Sequence, residues 1–145
     1  MRTHFVKSIA IAATLAVAGL TSAYAEEVTY TAKLTGAAET PPNTTPGTGT
    51  VAAKFDTTSK LLSWTVEYSG LTGPAAAAHF HGPAPEGKAA GVLVPIKGSL
   101  DSPIKGSETL TDDQAKDLTD GMIYFNIHTA ANKAGEIRGQ LTKGM

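Results

Sequence analysis

The sequence predicts an all-β fold: a single-domain antiparallel β-sandwich, Greek-key-like, of about eight strands with one short helix. Apolar and polar residues alternate along much of the 145-residue chain, as in strands with one buried and one solvated face. The 15 glycines and 8 prolines fall mainly between these stretches, where they favour turns that join short strands. Only one stretch carries the end signals of a helix. Together these observations indicate two packed sheets or a flattened barrel.

The first three predicted strands have the clearest alternation. The even-numbered residues from Val28 to Leu34 are apolar, and the odd-numbered ones from Val51 to Phe55 follow after a turn-rich stretch. In the third strand the even-numbered residues from Leu62 to Tyr68 are apolar and the odd-numbered ones are polar. A period of two places each apolar set on one face of a sheet.

Five further strands complete the predicted sandwich. They are expected at Ala76 to His81, Gly91 to Lys97, about Ile104 to Thr109, Met122 to Thr129 and Glu136 to Leu141. One helix is predicted before the last two, with Thr111 as N-cap, Gln114 as its capping-box partner and Gly121 just past the end.

The amino terminus has the pattern of a signal peptide. Arg2 and Lys7 precede an apolar run over 9–20, and the small-residue pattern Ala23-Tyr24-Ala25 follows it. We therefore expect a signal peptide over residues 1–25, one domain over residues 26–145, and a periplasmic or secreted product. The apolar run is shorter than a membrane span, which needs about 20 residues, so no membrane span is expected after cleavage. An uncleaved membrane anchor is the alternative.

Composition excludes several classes of function. The chain has no cysteine, so blue-copper, zinc-finger and iron–sulfur sites and thiol nucleophiles are ruled out. Removal of Arg2 and Lys7 leaves ten basic residues of the original 12 against 13 acidic ones. This mildly acidic balance gives no nucleic-acid footprint. A metal site built from nitrogen and oxygen ligands remains open.

Three histidines outside the predicted signal peptide form the main functional clue. His79 and His81 lie two residues apart on a predicted strand, so both rings point to one face, and His128 lies on a second strand. Imidazole is the commonest protein ligand for transition metals. Copper is the expected ion because nitrogen-rich sites bind it most tightly among first-row divalent ions, and zinc is the alternative. The competing interpretation is that the histidines form structural hydrogen bonds to loop backbones.

A hairpin of the last two strands would bring further candidates to this face. If Met122 to Thr129 pairs with Glu136 to Leu141, His128 lies across from Glu136 or Arg138. Glu136 is then a possible metal ligand or an acceptor for the imidazole N–H. Arg138, the only arginine left after cleavage, could draw an anion toward a bound cation.

Five segments resemble the signature of the CHRD domain, which is named after chordin, an extracellular antagonist of bone morphogenetic proteins. They are Glu39 to Pro42, Leu71 to Pro74, Ala78 to Ala84, Gly121 to Thr129 and Gly135 to Leu141. On this resemblance the chain is identified as a stand-alone exported microbial member of the family. The cysteine-rich modules that accompany the domain in chordin are missing, so the resemblance does not imply chordin's activity.

Two hypotheses follow. In the first, His79, His81 and His128 hold copper in an exported protein, either for copper carriage or for turnover of superoxide. Turnover of superoxide is suggested by an analogy with copper/zinc superoxide dismutases. These enzymes also combine a β-sandwich, a His-x-His strand, a further strand histidine and a nearby arginine. In the second hypothesis the chain is a non-catalytic module that binds an extracellular protein, and its histidines are structural.

Overall fold

A computed structural model describes residues 26–144, so the predicted signal peptide lies outside the described residues. The elements are β1 (Glu27–Thr35), a 3₁₀ turn (Gly36–Ala38), β2 (Thr48–Asp56), β3 (Leu61–Ser69), β4 (Ala75–His81), β5 (Val92–Pro95), β6 (Ile104–Thr109), α1 (Asp112–Thr119), β7 (Tyr124–Thr129), β8 (Ile137–Gln140) and β9 (Thr142–Lys143). The all-β prediction and its eight strands are confirmed. The two-residue β9 was not predicted because it is too short to show a period.

All paired strands are antiparallel, in the order β5-β4-β7-β8-β1-β2-β3-β6, with β9 on β1. The sheet folds over on itself into a nearly closed, barrel-like sandwich. Its two halves are joined where β8 meets β1, through the pair Thr35 and Arg138. Gly139 makes this close approach possible, since a Cβ there would lie 2.2 Å from the Lys33 carbonyl oxygen.

The apolar sets predicted from alternation fill the space between the halves. Phe80 is central: its ring centroid lies 5.0 Å from that of Trp64 on β3 and 4.8 Å from that of Phe125 on β7, both edge-to-face. Phe80 and Phe125 are 1% and 0% exposed. Burial of such a side chain stabilises the fold by about 1.5–3 kcal/mol. This core fixes which faces of β4 and β7 point outward.

The predicted helix is present, with the predicted capping box at its start. The Thr111 hydroxyl accepts from the Gln114 N–H at 3.2 Å, and the Gln114 side chain accepts from the Thr111 N–H at 3.0 Å. Leu110 and Leu118 are buried and attach α1 to the core. Among residues 26–144, no helix has both the length and the apolar character needed to span a membrane.

Candidate metal centre

The outward face of β4, β7 and β8 carries a layer of polar side chains. It comprises His79, His81, Tyr124, Asn126, His128, Arg138 and Gln140, and is called the polar layer below. The alternation of residues predicts that these side chains share one face, and it also predicts that this face is solvated. Much of the face is instead buried, since His81 is 8% exposed and Asn126 is 3% exposed. Two loops contact it. In the loop 82–91, the backbone oxygens of Ala90 and Lys88 accept hydrogen bonds from His81 and Arg138. In the loop 36–43, the hydroxyl of Thr40 accepts a hydrogen bond from Arg138.

The three histidines meet at one end of the polar layer. One nitrogen from each of His79, His81 and His128 lies within 4.8 Å of the other two. Nδ1 of His79 is 3.1 Å from Nε2 of His128. His79 and His128 are half-buried and His81 is buried, so the cluster lies at the edge of the covered region. The predicted juxtaposition of these residues is present, and the partly open rings leave an entry path for an ion.

Two of the rings are oriented by backbone carbonyls. Nδ1 of His81 lies 3.1 Å from the Ala90 oxygen, and Nδ1 of His128 lies 2.9 Å from the Lys133 oxygen. Because a carbonyl oxygen only accepts, Nδ1 carries the proton in both rings. Nε2 of both is then the nitrogen with a lone pair. This is the usual arrangement of a metal-binding histidine, in which the second N–H is held by an acceptor.

The donor set fits a transition-metal ion. Metal–nitrogen bonds of about 2.0–2.1 Å place the ligand nitrogens of a tetrahedral site about 3.3 Å apart. The 3.1 Å between His79 and His128 is close to this spacing, and His81 must approach them from within 4.8 Å. Three imidazole nitrogens without a thiolate suit copper or zinc.

Burial favours the neutral form of His79 and His81, which is the form that binds a metal. Burial lowers the pKa of His79, and charge on His128 and His81 would lower it further. Burial also lowers the pKa of His81, against the hydrogen bonds to Ala90 and Asn126, which raise it. A metal would therefore displace few protons at neutral pH from these two rings.

Arg138 lies in the polar layer but away from solvent. It is 2% exposed, and donates to Oγ1 of Thr40 at 3.0 Å and to the Lys88 oxygen at 2.6 Å. Its Cζ lies 3.5 Å from the centroid of the Tyr124 ring, which in turn stacks on His81 at 4.9 Å. This geometry ties the loops to β8 and leaves little of the guanidinium open to an anion from solvent.

The structure does not bring Glu136 to the histidines. The register that pairs Ile127 with Ile137 places residue 136 opposite His128, which is one of the two expected alternatives, but Glu136 lies in a bend before β8. Its carboxylate turns away and accepts five hydrogen bonds, from Thr45, Thr129, Asn132 and both the N–H and hydroxyl of Thr72. The backbone of Lys133 holds His128 instead.

The hydrogen bonds of Glu136 keep it ionised although it is fully buried. Desolvation raises the pKa of this carboxyl, but the bonds from Thr129, Thr45 and Thr72 outweigh it and lower the pKa to about 2. Glu136 therefore joins the loops around Thr45, Thr72 and Asn132 at the end of the sandwich. Its role in this structure is to hold those loops together.

Two residues near the cluster were not predicted as site residues. Asn126 lies with Oδ1 3.0 Å from Nε2 of His81, and Glu39, a residue of the loop 36–43, is 5% exposed. Alternation on β7 places Asn126 on the His128 face and could have identified it. Glu39 belongs to a segment that carries the family resemblance, but no periodicity places it near the histidines, because its position depends on how a loop folds over the sheet.

A family model described as the CHRD domain matches residues 30–141, which is most of the chain. No match was found among curated proteins or among solved structures. The match spans every strand that carries the polar layer and both loops that cover it. The chain therefore belongs to the CHRD domain family.

Proposed function

We propose that this chain is an exported protein that binds one copper ion through His79, His81 and His128. The observation that carries the proposal is the convergence of three imidazole nitrogens within 4.8 Å, with two rings oriented by the carbonyls of Ala90 and Lys133. Export is supported by the signal-peptide pattern over residues 1–25. Copper is preferred over zinc because of the affinity order for nitrogen ligands.

The geometry favours copper binding or carriage over turnover of superoxide. A steering cation must be accessible to attract an anion, and Arg138 is 2% exposed with its donors directed at Thr40 and Lys88. We therefore propose that Arg138 holds the two covering loops over the polar layer, and that the protein binds or carries copper without turnover of superoxide.

A second candidate function is a protein-binding module whose histidines are structural. The hydrogen bonds to the carbonyls of Ala90 and Lys133 favour this function as well. Through them His81 links β4 to the loop 82–91, and His128 holds the hairpin loop 130–135. The two candidates differ in what the third ring does. In a structural role Nδ1 of His79 donates to Nε2 of His128 at 3.1 Å, whereas in a metal site both nitrogens bind the ion.

The test is a competition titration of cupric ion against a chromophoric chelator, with protein purified from the periplasm of an expression host. We expect one tight site per chain in the wild type, and an affinity at least about 100-fold weaker in His79→Ala, since one of three ligands is lost. Lys105→Ala on β6, in the other half of the sheet, is the control and should bind as the wild type does. Equal affinity in His79→Ala would favour the structural role.

A further inference from the structure

Asn126 lies among the three histidines, on the strand that carries His128. In the register of β4 and β7 it is directly opposite His79, and it is 3% exposed. Because residues two apart on a strand share a face, Asn126 and His128 lie on the same face of β7, as His79 and His81 do on β4. Strand pairing therefore gathers four side chains with nitrogen or oxygen ligand atoms on one patch of two adjacent strands.

The amide of Asn126 faces the metal-binding nitrogen of His81. Its oxygen lies 3.0 Å from Nε2 of His81, which has the lone pair because Nδ1 of that ring donates to the Ala90 oxygen. The NH₂ end, brought to the same place by a half-turn of the amide, would donate to this lone pair. The oxygen end instead adds a second lone pair, so the two atoms suit an ion bound to both.

The four side chains form two pairs with the spacing of neighbouring ligands in a copper site. Metal–ligand bonds of about 2.0–2.1 Å place adjacent ligands of a square site about 2.9 Å apart and opposite ligands about 4.1 Å apart. The paired atoms of His79 and His128 are 3.1 Å apart, and those of His81 and Asn126 are 3.0 Å apart. The three histidine nitrogens lie within 4.8 Å of one another, which admits the longer spacing across a square. The two pairs thus fit two opposite sides of one square.

We propose that Asn126 is the fourth ligand of the copper site proposed above, on which this assignment rests, and that its amide oxygen makes the site selective for cupric ion. Square or tetragonal sets of nitrogen and oxygen ligands suit Cu(II), whereas Cu(I) prefers soft ligands. Three imidazole nitrogens are enough for Cu(I), which takes few ligands. Loss of the amide oxygen therefore weakens the binding of Cu(II) and leaves the binding of Cu(I) nearly unchanged.

The experiment measures the affinity of the full exported protein for each ion. Cupric ion is titrated against a cupric chelator, and cuprous ion against a cuprous chelator with a reductant in the absence of oxygen. For Asn126→Ala we expect a cupric affinity about 10–100-fold weaker than that of the wild type and a cuprous affinity within about threefold of it. The parallel hyperfine coupling in the electron paramagnetic resonance spectrum of the cupric form should also change, because water replaces the amide oxygen.

Asn126→Asp distinguishes a ligand from a residue that only orients His81. This variant keeps an oxygen at the same place and adds a negative charge, so it should bind cupric ion at least as tightly as the wild type. A carboxylate cannot donate to Nε2 of His81. If Asn126 acted only as such a donor, Asn126→Asp would bind cupric ion more weakly, and that result would overturn the assignment. This variant decides alone if Asn126→Ala does not fold.

Gln140→Ala is the matched control, since it removes an amide from the same polar layer. Gln140 is opposite Tyr124, and its amide nitrogen donates to the backbone oxygens of Ala84 and Gly121. Both affinities should stay within about twofold of the wild type. An equal loss of cupric affinity in Gln140→Ala and Asn126→Ala would show a general distortion of the layer and would overturn the role of Asn126.

The remaining outcomes separate the fourth ligand from the histidine site. A wild type that binds cupric ion, with Asn126→Ala binding it equally well or losing the same factor for both ions, overturns Asn126 as a ligand and leaves the histidine site intact. A wild type that binds neither ion overturns both.

Discussion

Glu136 is a buried carboxylate whose hydrogen bonds make stability depend on pH in acid. Its pKa is about 2 in the folded protein against an ordinary value of 4.5. A depressed folded pKa gives stability that is present above pH 4.5 and is lost as pH falls toward 2. The contribution is on the order of 3 kcal/mol. Urea unfolding between pH 5 and pH 2 should show this loss in the wild type, and a clearly smaller loss in Glu136→Gln would confirm its source, whereas an equal loss would contradict it.

Glu39 should have the opposite effect at higher pH. Burial raises its pKa to about 7, although the Thr40 backbone N–H, the charge of Arg138 and the Asn126 side chain all lower it. A raised folded pKa gives stability that is fully present below the unfolded value of 4.5 and is lost as pH rises through 7. Glu39→Gln should therefore flatten the decline in unfolding free energy between pH 5 and pH 8. A decline as steep as in the wild type would contradict the assignment.

At the scale of the elements, α1 depends on its capping box. Thr111→Ala removes the hydroxyl that accepts from the Gln114 N–H. We expect a loss of about 1 kcal/mol and a fall in Tm of about 3–5 °C. Differential scanning calorimetry measures this, with Thr109→Ala at the exposed end of β6 as the comparison. An unchanged Tm would mean that packing of Leu110 and Leu118 alone determines the helix.

The junction of β8 and β1 should tolerate no side chain at Gly139. A Cβ there would lie 2.2 Å from a backbone oxygen, which cannot move aside as a flexible side chain can. Gly139→Ala should cost about 1–3 kcal/mol or more in unfolding free energy through strain. Gly73→Ala is the control, because a Cβ at Gly73 would meet no atom within 4 Å among the described residues. Equal stability of the two variants would contradict the close approach.

The strands could be predicted from the sequence because burial of one face imposes a period of two. The same reasoning predicted that β7 and β8 pair with matching faces and narrowed the residue opposite His128 to Glu136 or Arg138, and the register selects residue 136. It could not predict that the backbone bends at Glu136 and turns its carboxylate toward Thr45 and Thr72. The burial of Arg138 was also missed, because loops over a sheet follow no period. Strand geometry predicted that His79 and His81 share a face, but the pairing of β4 with β7, which brings His128 to them, is a tertiary contact that alternation does not give.

For the whole molecule, a bound metal should stabilise the folded state by mass action. Free copper at 100 times the dissociation constant adds about 2.7 kcal/mol to the unfolding free energy, which corresponds to about 8–12 °C in Tm. Thermal melts with and without cupric ion test this. The double variant His79→Ala/His81→Ala should show no such shift. A shift that persists in that variant would place the ion elsewhere.

The most direct measurement is the copper content of the protein after reconstitution and removal of free ion, by plasma mass spectrometry, for the wild type and for His79→Ala/His81→Ala. We expect about one copper per wild-type chain and none in the double variant. Copper retained in the double variant, or missing from the wild type, would contradict the claim that His79, His81 and His128 form a metal site.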